Sequence, residues 1–85
     1  MNHHIFGIKV NQRTEKAPAV QAVLTKFGCN IRTRLGIHEA DSASCSPSGV
    51  ILVDVFGTPE QVEECYRELG ALPGVALQRM DFLEE

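Results

Sequence analysis

The sequence is short of every signal that marks a membrane, secreted or metal-based protein. No apolar run in its 85 residues approaches the roughly 20 that a membrane-spanning helix requires. The N-terminus lacks the basic-then-apolar order of a signal peptide, so a cytoplasmic location and no membrane partner are expected. Cysteine is sparse: Cys29, Cys45 and Cys65 form no CxxC, and any disulfide scheme leaves one of them over. A stapled secreted scaffold is thereby excluded, and free thiols in a reducing compartment are predicted. Also missing are GxxxxGK, HExxH, a paired-carboxylate arrangement and any spacing of Ser, His and Asp that would make a triad. Nothing therefore prescribes phosphate cradling, zinc hydrolysis or nucleophilic catalysis. No catalytic residue is assigned, no cofactor is expected, and the chain is read as no enzyme.

What is present is an ordinary globular composition, 44% apolar and 22% charged, which argues for a folded chain. A chain this short forms a single domain, residues 1–85, and hides only about 60% of the surface its unfolded form exposes. Its core is thin, and a partner subunit would help to complete it. The net charge of -3 is unevenly spread: residues 1–38 hold six Lys or Arg against one acid, Glu15, and residues 39–85 hold two against ten. Nucleic-acid binding wants a net basic domain or a known motif. Neither exists, so the two halves are expected to lie together and compensate, and no nucleic-acid partner is predicted.

Hydrophobic period places the elements. From His3 to Val10, Phe6, Ile8 and Val10 alternate with Ile5, Gly7 and Lys9, the pattern of a half-buried strand. Val20, Val23, Leu24 and Phe27 recur at helical spacing. That helix spans about Glu15 to Phe27, with Thr14 as a cap or a start nearer Pro18, and Gly28 is expected to supply a left-handed stop. A second strand over Cys29 to His38 places Ile31, Thr33, Leu35 and Ile37 on one face and Arg32 and Arg34 on the other. Glu39 to Gly49 reads as a long loop. Val50 to Phe56 is a strand apolar on nearly both faces, as a central or covered strand is. In Gly57-Thr58-Pro59-Glu60-Gln61, Thr58 caps a helix, Pro59 takes its first position and Gln61 completes a capping box. That helix buries Val62, Cys65, Tyr66 and Leu69, and Gly70 ends it. Val75 to Phe82 is the last strand.

Strand, helix, strand, strand, helix, strand is the split β-α-β pattern. Right-handed crossovers put both helices on one face of an antiparallel sheet of order 4-1-3-2, the ferredoxin-like α+β sandwich. The other face is left bare. It should carry Ile5, Val50, Leu52 and Phe56, an apolar set that predicts an oligomer interface. The hairpin centre brings Asp54 opposite Arg34 or its neighbour, so an Arg34–Asp54 pair is expected to fix register, contributing ~0.2–1 kcal/mol.

Arg34-Leu35-Gly36-Ile37, the strand Gly49 to Gly57 and the ending Leu69-Gly70-Ala71-Leu72-Pro73-Gly74-Val75, in that order and spacing, resemble the small ACT-like proteins named iron-only hydrogenase system regulators. Those proteins are similar to ACT domains and to the ligand-sensing half of the nickel-responsive NikR regulators. The resemblance implies a regulatory module that self-associates as a dimer or tetramer, senses an anionic or amino-acid-like effector and acts on a protein partner. It also directs attention to the loop after the first strand, hence to Asn11, Gln12 and Arg13. There a helix N-terminus beside an arginine suits an anion. A nickel site is not implied. The candidates His3, His4, His38, Cys29 and Cys45 do not reproduce the nickel regulators' ligand set, and His3 and His4 point to opposite faces of a strand. Cys65 is a core residue and Cys45 the exposed thiol, with no neighbouring base to activate it. Two alternatives stand beside the regulatory reading. One is an assembly subunit without a small ligand. The other is a dimeric ferredoxin-like-barrel enzyme with Arg32, Arg34 and Asp54 lining its cavity.

Overall fold

A computed structural model of the chain describes residues 1–10, 13–40 and 45–84, and the side chains of 1–10, 17–37 and 49–84. Its elements are β1 (His3–Val10), α1 (Arg13–Lys26), β2 (Ile31–Ala40), β3 (Cys45–Val55), α2 (Pro59–Gly70) and β4 (Val75–Phe82). All four strands join one antiparallel sheet in the order β2-β3-β1-β4, the expected order read from the other edge. Phe6, Ile8 and Val10 of β1 and Val53 and Val55 of β3 meet Val20 and Leu24 of α1 and Val62, Cys65 and Leu69 of α2 in one cluster. Both helices therefore cover the same face of the sheet. Burial, reinforced by the negative charge of Glu68, pushes the Cys65 thiol up to about 11, so it stays protonated and packs as a small hydrophobe.

The start of α2 follows its local code. Thr58 Oγ1 accepts from the Gln61 N–H at 3.2 Å, and Gln61 Oε1 accepts from the Thr58 N–H at 2.9 Å. Pro59 opens the helix, where a missing N–H costs nothing. Gly57 enters this turn at φ +133°, and a Cβ there would stand 2.5 Å from Gln61 Oε1 and 2.6 Å from Asn30 Nδ2. Gly57→Ala should therefore destabilise the fold by ~1–3 kcal/mol through backbone strain and a displaced cap. Thermal unfolding measures this, with Gly28→Ala as the neutral control, because a Cβ at Gly28 has nothing within 4 Å.

Three local expectations are corrected. Helix α1 begins at Arg13 and carries Pro18 in its interior; packing of Val20 and Leu24 outweighs the lost N–H. Gly28 does not stop it in a left-handed conformation, which only Gly57 and Gly74 adopt among the described glycines. The chain instead tightens into a 3-10 turn over Gly28–Asn30, closed by a 2.8 Å bond from Asn30 N–H to the Phe27 carbonyl. Cys29 lies in that turn. Most of the expected 39–49 loop is strand, because β2 and β3 pair as far as Ala40↔Cys45. Ladder bonds there override the Ser-Pro-Gly composition. Pro47 falls where the register is irregular, between the His38↔Gly49 and Ala40↔Cys45 pairs, the tolerated place for a strand proline. Residues 41–44 lie outside the described residues.

A fourth correction governs the faces of β2. Ile31 pairs with Val55, but Thr33 pairs with the very next residue, Asp54. Arg32 is therefore an extra residue in a β-bulge. Beyond it, Arg34 and Gly36 sit opposite Val53 and Ile51 on the helix-covered face, while Thr33, Leu35 and Ile37 sit opposite Asp54, Leu52 and Val50 on the open one.

Candidate functional site

The uncovered sheet face is where exposed chemistry concentrates. Ile5, Val50 and Leu52 all lie on it, half-buried by their neighbours, and Phe56, 40% exposed, follows the end of β3. The face also includes Leu35 (55% exposed), Ile37 (44%), Met80 (54%) and Phe82 (57%), none of which the sequence reading placed there. The bulge at Arg32 hid Leu35 and Ile37, since strict alternation from Ile31 would turn them inward. Met80 and Phe82 carried a usable signal: in β4 the residues Val75, Leu77 and Arg79 face the helices and Ala76, Gln78, Met80 and Phe82 do not. At the centre of the face Leu52 leans over Gly7, its Cδ2 3.6 Å from where a Cβ would stand.

Charges mark the two ends of this apolar field. Lys9, opposite Val50 and Ala76, stands at one. At the other, Asp54 lies opposite Ile5 and Thr33. The expected Arg34–Asp54 pair does not form, because the bulge turns Arg34 to the helix side, where its guanidinium donates to Gln21 Oε1. Arg32 serves instead: its Nε is 3.5 Å from Asp54 Oδ2, and His3 Nδ1 is 2.7 Å from the same oxygen. The Arg32 guanidinium also lies 4.8 Å over the Phe56 ring, a cation–π contact. Asp54 Oδ1 is buried without a hydrogen-bond partner. A buried carboxylate oxygen without a donor is costly. The cavity wall imagined for an enzyme thus keeps Arg32 and Asp54 but loses Arg34.

A second ionic cluster lies on the helix side and staples β4 to α2. Arg79 makes a two-pronged bond to Glu63 at 3.0 and 2.9 Å and reaches Asp81 at 2.9 Å. Its guanidinium stands 4.7 Å over Tyr66 and 5.1 Å over Phe6, and His4 Nδ1 is 2.7 Å from Asp81 Oδ1. Arg79 first, and then His4, hold the Asp81 carboxyl below its usual range. A carboxylate with a lowered folded pKa stabilises above its unfolded pKa and loses that contribution as pH falls through the folded one. Asp81→Asn should therefore leave a shallower loss of stability below pH ~4 than the parent chain shows in urea titrations across that range.

The loop expected to hold an effector lies largely outside the described residues. Asn11 and Gln12 lie outside the described residues, and Arg13 is the first residue of α1 with its side chain outside them. His3 and His4 face opposite sides of the sheet, as the strand period requires, each on its own aspartate. Among the described residues no group of three or more His, Cys, Asp or Glu is placed to hold a metal ion, and no helix is long and apolar enough to cross a membrane.

No family model matches the chain, and no curated protein matches it. Solved structures do. The uncharacterized protein TM1266 from Thermotoga maritima superposes with a TM-score of 0.81 at 18% identity, over 98% of this chain and 100% of that one. CPII, a nitrogen regulatory PII-like protein from Thiomonas intermedia K12 bound to ADP, AMP and bicarbonate, gives a TM-score of 0.55 at 14% identity, over 100% of this chain and 97% of that one. At such identities the likeness speaks to architecture, and together with strand order and helix placement it establishes a ferredoxin-like α+β fold.

Proposed function

We propose that the chain is a small homo-oligomeric regulatory protein that senses an effector and has no catalytic activity of its own. The observation that carries this reading is the open sheet face, where Leu35, Ile37, Met80 and Phe82 stay exposed around Ile5, Val50 and Leu52. Contiguous apolar surface of that kind marks an interaction site. A second copy of the chain fits it by charge as well as by shape. Two such faces stacked about a twofold axis bring the Lys9 end of one onto the Asp54 end of the other. Lys9 makes no ion pair among the described residues, and the Asp54 side chain keeps a small part of its surface open to solvent. The same contact then answers both ends twice, as an isologous interface does.

The regulatory part of the reading draws on the fold shared with a nitrogen regulatory PII-like protein and on the sequence resemblance to the iron-only hydrogenase system regulators. The protein is taken to work in the cytoplasm and to act on a protein partner. An effector would do so by favouring one of two assembly states, which requires unequal affinity for them. Native mass spectrometry of the untagged protein tests the whole reading. The expected result is a dimer or tetramer that releases a defined small mass on harsher activation. A monomer at micromolar concentration would sink it, and a clean oligomer that no small anion alters would transfer the role to an assembly subunit.

A further inference from the structure

A cleft of about 300 Å³ opens between α1 and the β2–β3 edge, lined by helix-side residues together with Ile37 and Val50. Two glycines make it. Gly36 lies opposite Ile51, and Gly49 lies between Val10 and His38, so two neighbouring positions of the helix-side face carry no side chain. Neither is held in the left-handed region, and a Cβ on Gly36 would meet nothing within 4 Å. Backbone conformation and crowding therefore give no reason for glycine at Gly36; the empty space is what the residue provides.

The apolar lining of that space is Val10, Ala17, Ile37, Val50 and Ile51, and its polar side chains are Arg34 and Gln21. Among the described residues no carboxylate lines it. Arg32, Arg67 and Arg79 each meet an aspartate or glutamate, whereas Arg34 meets only the neutral amide oxygen of Gln21 among the described residues. That bond occupies the one acceptor of the Gln21 side chain and leaves its amide N–H groups, with the remaining guanidinium N–H groups, as donors. The mouth thus offers donors and a positive charge, and the floor offers hydrocarbon. Its volume stands at the small end of ligand sites, about 300–1,000 Å³, and a single cation matches a single negative charge.

We propose that this cleft binds a small monocarboxylate with a compact aliphatic body. The carboxylate lies against Arg34 and Gln21, with the body over Gly36 and Gly49 between Val10, Ala17 and Ile51. A charge-assisted fork to guanidinium supplies orientation, and the apolar floor supplies selectivity against formate or acetate, which leave it empty. If the regulatory reading holds, this is the effector class; binding itself does not rest on that reading.

The test is a nitrogen-15 amide NMR titration of the intact protein with isocaproate, run beside the uncharged isocaproamide. Saturable shifts are expected at the amides of Ala17, Gln21, Gly36 and Gly49 with the acid, and affinity weaker by about tenfold or more with the amide. Arg34→Gln should cause the same loss. Gly36→Val, which has room for its Cβ and suits a strand, should keep a dispersed spectrum and abolish binding. The proposal is overturned if those amides do not respond at millimolar acid, or if acid and amide bind alike. Should Gly36→Val fail to fold, Arg34→Gln decides alone. Saturable binding by a chain that mass spectrometry finds monomeric would uphold the site and sink the regulatory oligomer; a silent cleft in a clean oligomer would do the reverse.

Discussion

Leu35→Glu combined with Met80→Glu is expected to leave a folded monomer in place of the oligomer proposed for the parent chain. Both side chains are more than half exposed on the open sheet face, so neither substitution touches the core beneath α1 and α2. Each removes about 1.5–3 kcal/mol of apolar burial from a stacked interface and would inter an unpaired carboxylate there, which costs more again. Together they should raise the dissociation constant at least about a hundredfold. Light scattering at several concentrations reads the mass, and circular dichroism confirms that the fold is retained. Lys9→Glu is the subtler companion, since it reverses the charge that faces Asp54 across the proposed twofold axis. It should weaken association with a clear dependence on salt. An assembly indifferent to all three changes must use another surface.

Phe6→Ala should produce a large loss of stability. Phe6 is fully buried, its ring meets Tyr66 edge-on at 5.1 Å, and Arg79 lies 5.1 Å over it. It also sits in register between Val53 and Arg79 at the middle of the sheet. Truncation removes about 3–5 kcal/mol through lost transfer energy and a cavity. The Arg79 guanidinium then loses one of its two aromatic surfaces. Domains of this size hold only ~5–15 kcal/mol in total, so a fall in melting temperature of about 15 °C or more is expected. Phe6→Leu, which refills most of the space, should cost much less. Equal losses for both would mean that ring geometry, and not volume, governs the site.

The fold was legible because its signals are local and repeated. β1 shows unbroken alternation, and the Thr58-Pro59-Glu60-Gln61 start of α2 satisfies its own backbone donors within four residues. Strand order followed from crossover handedness, a property of chains in general. The open face was half legible: Ile5, Val50 and Leu52 come from strands with clean alternation, whereas Leu35 and Ile37 lie beyond a bulge. A bulge is one residue of surplus length, and no residue type announces it. The Arg34–Asp54 pair failed for that reason alone, since a shift of one residue reverses every face that follows. The cleft was invisible for a different cause. Gly49 reads as the end of a loop and Gly36 as one position of the second strand, and only pairing reveals that they are neighbours on one face beside α1.

Seen at the level of the gene, the bulge has a consequence of its own. Excision of the single codon for Arg32 would leave Ile31 against Val55 and Thr33 against Asp54, and so every other pairing of β2 unchanged. The ladder would simply straighten. What would vanish is the cation beside Asp54 and over Phe56. This corner therefore depends on one surplus residue of β2, and relatives of this chain can be sorted by whether their second strand is one residue longer than its partner requires.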